Sequence, residues 1–166
     1  MSSDAIAPFL AKFDEQDTKK KGVLELAAFK KLFPEVMGGE FNEETAEMYF
    51  RGIDIDNSKS VSRQEFSDFV KAALDKDATY TIKMAFRSFD KDRSKNLDAK
   101  EVKAIAGYVG RDMTDEEVAA AMEKLTGKSK GTLTYPQVVK MITGKDIDKD
   151  ADPYDGKLKS SCCLLI

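Results

Sequence analysis

A chain of 166 residues with 42% apolar side chains can bury one large core or two small ones, and 34% charged residues give it a heavily solvated surface. Its net charge of −3, from 27 basic and 30 acidic side chains, argues against a general nucleic-acid binder, and no basic stripe runs through it. Histidine is absent, which excludes histidine acid–base catalysis, Ser-His-Asp triads and histidine metal sites.

Ile6, Phe9, Leu10 and Phe13 recur at helical spacing and lead into a loop that begins at Asp17. Asn42 is the N-cap of a second helical pattern, which Phe41 is placed to staple and which carries Met48, Tyr49, Phe50 and Ile53. A loop from Asp54 to Glu65 follows, and Phe66, Phe69, Val70, Ala73 and Leu74 line the helix leaving it. The polar stretch Asp75-Lys76-Asp77-Ala78 is either a hinge or the exposed middle of one long helix. Thr79 then opens a helix with Ile82, Met84, Phe86 and Phe89, which enters a loop from Asp90 to Glu101. Thr114 with Glu117 reads as a capping box for a helix holding Val118, Met122 and Leu125. After a last loop from Thr126, Pro136 suits a first helical turn and Gly144 the position just past its end.

These segments are one unit repeated four times. The loops start at Asp17, Asp54, Asp90 and Thr126, spaced by 37, 36 and 36 residues. The third is the most informative. Asp90, Asp92, Ser94, Asp98 and Glu101 put oxygen side chains at positions 1, 3, 5, 9 and 12, and Asn96 at position 7 offers its backbone carbonyl. A hard cation such as calcium takes six to eight oxygens at about 2.3–2.6 Å, so a short loop must wrap it with this spacing. The second loop offers Asp54, Asp56, Ser58 and Glu65, with Ser62 acting through water and Ser60 through its carbonyl. Two calcium ions per chain are expected, with magnesium as a competitor. Four carboxylates against three favour the third loop.

Both loops carry lysine, Lys59 and Lys95, at position 6, where a glycine is usual. A left-handed backbone there costs a non-glycine residue about 1–2 kcal/mol, worth about tenfold in affinity. The lysine side chains point to solvent in this reading, which makes them tuning elements. The outer loops are degenerate. Lys19 and Lys21 fill positions 3 and 5 of the first, and Ala28 replaces the acid at position 12. Lys128 and Lys130 do the same in the fourth, with Thr126 at position 1 and Gln137 at position 12. Gly22 and Gly131 persist at position 6, as do Leu24 and Leu133 at position 8.

On these residues the chain resembles the four-EF-hand proteins of the calmodulin superfamily over about residues 5–144, closely in units two and three and faintly in one and four. The resemblance implies an all-α, two-lobed fold in which each lobe is a pair of EF-hands joined by a short β-bridge. Leu24 is then expected opposite Val61 and Leu97 opposite Leu133. The lobes would be 1–75 and 79–144, with 76–78 as linker and 145–166 as a flexible tail. The tail opens with Asp146, Asp148, Asp150 and Asp152, which mimic the start of another loop, but Pro153 and Lys157 break the pattern.

The last residues, Cys163-Leu164-Leu165-Ile166, fit a prenylation box, and Cys162 is a candidate for palmitoylation as the second membrane signal. The two adjacent cysteines cannot build a disulfide framework, and the opening Met-Ser-Ser-Asp has no signal-peptide h-region. A cytoplasmic monomer with peripheral membrane association through its lipid follows as the expectation. The functional expectation is a calcium sensor that exposes an apolar groove to a target helix, with methionines such as Met37, Met84 and Met122 as an adaptable surface. A calcium buffer or a constitutive, light-chain-like subunit is the alternative. No catalytic constellation is present, so an enzyme is not expected.

Overall fold

A computed structural model describes residues 5–39, 42–128 and 130–156. Phe41, Cys162 and Cys163 lie outside the described residues. Two compact units emerge. The described part of the first runs to Met84 and takes in Gly156, and the second spans Ala85–Asp155.

In the first unit, α1 (Ala7–Gln16) enters a loop ending in β1 (Val23–Glu25), and α2 (Leu26–Met37) leaves it. The second loop is framed by α3 (Glu43–Ile53), β2 (Ser60–Ser62) and α4 (Arg63–Leu74). β1 and β2 pair antiparallel with Leu24 opposite Val61, as expected. Both side chains are buried, and Phe13 stacks on Phe66 at 5.2 Å beneath them. Phe29 meets Phe50 edge-on at 5.5 Å, so each helix gives one aromatic face to a shared core. Asn42 caps α3 by accepting the Thr45 amide at 2.8 Å.

The chain between the second and third loops is not one long helix. α4 ends at Leu74, Lys76 takes a left-handed φ of 53°, and α5 (Ala78–Phe89) starts afresh. Its opening is made by Asp77 and not by Thr79: the Asp77 carboxylate accepts the Thr79 and Tyr80 amides at 2.9 and 3.1 Å. A charged acceptor satisfies the orphan donors of a helix start better than the threonine two residues further in.

The second unit repeats the plan with the end of α5, then β3 (Asn96–Leu97), α6 (Ala99–Tyr108), α7 (Asp115–Thr126), β4 (Leu133–Thr134) and α8 (Tyr135–Thr143). Leu97 sits opposite Leu133, both fully buried. The Thr114–Glu117 capping box is present, Pro136 lies in the first turn of α8, and Gly144 closes it at φ 74°. The fold is therefore mostly helical, with paired helix–loop–helix units joined by short two-stranded sheets.

Candidate metal centres

Each loop begins where a helix runs out. Asp54 closes α3 and is buried, and its carboxylate accepts the Ser58 amide through Oδ1 and the Lys59 amide through Oδ2, at 3.0 and 3.2 Å. Asp90 follows α5, is fully buried, and accepts the Ser94 and Lys95 amides in the same way, both at 3.0 Å. The position-3 acids fold back too: Asp56 and Asp92 each accept the amide two residues on at 3.0 Å. These bonds turn the chain sharply enough that positions 4 and 6 adopt left-handed backbone, with φ of 59° at Asn57, 65° at Lys59, 58° at Arg93 and 63° at Lys95. Lysine at position 6 thus takes the strained conformation expected of it.

The ligand oxygens gather around this turn, with carboxylate convergence in the second loop. Ser58 donates its hydroxyl to the Ser60 carbonyl at 3.0 Å, and Ser94 does so to the Asn96 carbonyl at 2.9 Å. Positions 5 and 7 therefore bring their oxygens together in both loops. Position 12 reaches back across the loop from the next helix. Glu65 accepts the Ile55 amide on one oxygen and the Ser62 amide and hydroxyl on the other, at 2.8, 2.9 and 2.8 Å. Glu101 accepts the Lys91 and Asp98 amides, both at 3.1 Å. The position-9 side chains cap the exiting helices, Ser62 for α4 and Asp98 for α6.

Oxygens of Asp54, Asp56 and Glu65 all lie within 4.8 Å of one another. This is the group of carboxylates that converges so tightly among the described residues. Three carboxylates plus a hydroxyl and a carbonyl form an all-oxygen set that suits a hard divalent cation. Charge supports the arrangement. Burial would raise the Asp56 pKa, but bonds from the Ser58 amide and hydroxyl hold it below the usual range. In the third loop the Ser94 amide and hydroxyl lower Asp92, whereas burial pushes Asp90 and Glu101 up. The position-6 ammonium groups stay out of the ligand sets: Lys59 bonds Asn57 at 2.7 Å and Lys95 pairs with Asp152 at 2.7 Å.

The first loop keeps the turn without the ligands. Asp17 accepts the Lys21 and Gly22 amides at 3.0 and 2.6 Å, the same two positions served by Asp54 and Asp90. Gln137 accepts the Thr134 amide at 2.9 Å and donates to the Leu125 carbonyl at 3.3 Å, spanning the fourth loop as a neutral amide.

One group near the third loop was invisible to spacing. Tyr154, in a stretch read from sequence as flexible acidic tail, donates its hydroxyl to Asp90 Oδ2 at 2.7 Å. Burial beside that carboxylate pushes the Tyr154 pKa up, so the phenol stays a donor. Nothing in the local pattern of a proline and a tyrosine signals a bond formed 64 residues away.

Comparison with known proteins agrees with this geometry. Residues 79–143 match the EF-hand domain pair family. The chain is 26% identical over 139 residues to troponin C isoform 1 of Balanus nubilus, covering 80% of this chain and 85% of that protein. It is 27% identical over 131 residues to caltractin of Naegleria gruberi, covering 78% and 75% respectively. Troponin C isoform 2 of Caenorhabditis elegans matches at 21% over 150 residues, 87% of this chain and 93% of that one.

Proposed function

We propose that this chain is an EF-hand calcium-binding protein of the calmodulin, troponin C and caltractin type, and a calcium sensor that takes one ion at Asp54–Glu65 and one at Asp90–Glu101 and then exposes an apolar groove to a target helix. The observation that carries this reading is the convergence of Asp54, Asp56 and Glu65 within 4.8 Å. Glu65 and Glu101 sit in the first turns of α4 and α6 while their carboxylates reach back over the loops. A cation that draws either carboxylate inward therefore pulls on the exiting helix, the lever a sensor needs.

Methionine contributes less surface than its count suggests. Met84 and Met122 are core residues, 4% and 0% exposed, whereas Met37 is 36% exposed and Met48, Met113 and Met141 are half-buried. The half-buried three are the adaptable part of such a groove. Tethering belongs to the proposal as well, through a prenyl group on Cys163 and a palmitoyl group on Cys162. Among the described residues no helix is long and apolar enough to cross a membrane.

Binding of an apolar fluorescent dye, with and without calcium at millimolar-scale magnesium, tests the sensor. A large calcium-specific rise is expected. No rise despite bound calcium would overturn the sensor in favour of a buffer or a permanently engaged subunit. Replacing Cys163 by serine should release the protein from membranes in cells, and unchanged fractionation would remove the lipid from the reading.

A further inference from the structure

The segment Asp152–Asp155 is bound to the third loop and to the helix entering it by four contacts of different chemistry. The guanidinium of Arg87, 1% exposed at the end of α5, donates to the Pro153 carbonyl at 2.6 Å, and Pro153 is itself buried. Lys95, at position 6 of the loop, pairs with Asp152. Arg93, at position 4, lies over the Tyr154 ring at 5.1 Å from its centroid. The Tyr154 hydroxyl reaches Asp90 Oδ2 at 2.7 Å. All of these residues belong to the second unit.

Which Asp90 oxygen is used decides what the contact does. Oδ1 accepts the Ser94 amide at 3.0 Å, on the side where the Ser94 hydroxyl meets the Asn96 carbonyl. Oδ2 is already committed to the Lys95 amide, as Asp54 Oδ2 is to the Lys59 amide in the second loop. Both oxygens serve the turn, and the tyrosine adds its bond to Oδ2, away from Oδ1 and the Ser94 hydroxyl beside it. A short bond to a charged acceptor fixes the carboxylate plane, and a fixed plane spares the ion the cost of ordering it. The same contacts draw two of the loop's cations, Arg93 and Lys95, onto the tail.

Resting on the reading of Asp90–Glu101 as a calcium loop, we propose that Tyr154 is a positioning residue for the third-loop cation, so that ion binding and tail docking strengthen each other. Coupling between two sites is reciprocal: whatever factor the docked tyrosine adds to calcium affinity, bound calcium adds to the docking of the tail. The third loop thereby reports its occupancy to the segment that leads on toward Cys162 and Cys163, a route that does not pass through the exiting helix.

The test uses the full chain and calcium chloride alone. In a Glu65→Gln background, calorimetry reads the third loop, and Tyr154→Phe, which keeps the ring and removes the hydroxyl, should weaken its affinity about fivefold, the low end of couplings between linked sites. In a Glu101→Gln background, which reads the second loop, the same change should have no effect; a general loss of structure would move both. Amide exchange in residues 152–156 should slow by a similar factor on adding calcium, and the slowing should vanish with Tyr154→Phe. Asp152→Asn should act in the same direction more weakly. Unchanged or tighter third-loop affinity in Tyr154→Phe overturns the coupling and leaves the calcium loop standing. No calcium uptake at all in the Glu65→Gln chain overturns the loop reading and the coupling with it.

Discussion

The first loop of this protein shares its turn with the two inner loops and differs from them in what it presents. Asp17, Asp54 and Asp90 each accept the amides four and five residues on, so the same turn is built three times. The strand pairs tie one outer loop to one inner loop, through Leu24 with Val61 and Leu97 with Leu133. Yet the first loop carries Lys19 and Lys21 where the second carries Asp56 and Ser58. Shape and charge are therefore separable. Buried leucines and an aspartate turn are enough to hold the loop, whereas binding a cation needs oxygens at the positions where the outer loops place ammonium groups.

The largest effect should come from removing charge while keeping shape. Changing both Glu65 and Glu101 to glutamine should lower calcium affinity about a hundredfold at each inner loop, on the order of 3 kcal/mol per site. The fold should persist, because Gln137 already spans the fourth loop as a neutral amide. Calorimetry and circular dichroism read the two halves of this expectation. Strong residual binding would mean that the lysine-bearing loops take calcium, and the comparison would collapse. The same calorimetry on the unaltered chain should find two ions, not four.

Shape is broken next, from the side that holds no ligands. Leu24→Ala removes a buried side chain, 1% exposed, at the strand pair, and should cost about 2–5 kcal/mol in chemical denaturation. It should also weaken calcium binding at the second loop, although every ligand there is intact. Unaltered affinity would show that the outer loop is dispensable to its neighbour.

A smaller change sharpens the account of position 6. Lys59→Gly relieves the left-handed strain at φ 65° but adds a flexible residue to the unfolded chain. The net gain should be about 0.5–1 kcal/mol of stability, visible as a higher melting temperature. Destabilisation would mean that the Lys59–Asn57 bond outweighs the strain.

The smallest effect concerns the ion pair that ties α4, the helix leaving the second loop, to α1, the helix entering the first. Arg63 bonds both oxygens of Asp14 at 2.8 and 3.0 Å, and this holds the Asp14 carboxyl below its ordinary pKa. A depressed carboxylate contributes stability that is present above its unfolded pKa and fades as pH falls through the lower folded value. The pair is about half exposed, so Asp14→Asn should cost no more than about 1 kcal/mol near neutrality. That difference should shrink at pH below about 4, where the native chain loses the pair too. A cost independent of pH would assign Asp14 a packing role instead.

Much of the molecule was legible because it is local. The four loops announce themselves by spacing, Asn42, Thr114 and Gly144 mark helix ends by their own chemistry, and the alternation of aromatic and charged residues fixes the helical faces. The family resemblance, applied at position 8, gave even the strand register. Thr79 shows the limit of local reading: Asp77, in the stretch read as hinge or mid-helix, took the helix start.

The sequence by itself determined which loops offer oxygens and which offer ammonium groups, because ligand identity is a property of each side chain at its numbered position. Only the tertiary structure decided that Met84 and Met122 belong to cores and that Tyr154 reaches Asp90. These depend on where the chain returns after dozens of residues. A return of that kind is set by the sum of burial and by partners such as Arg87 and Lys95, and no short-range pattern encodes it.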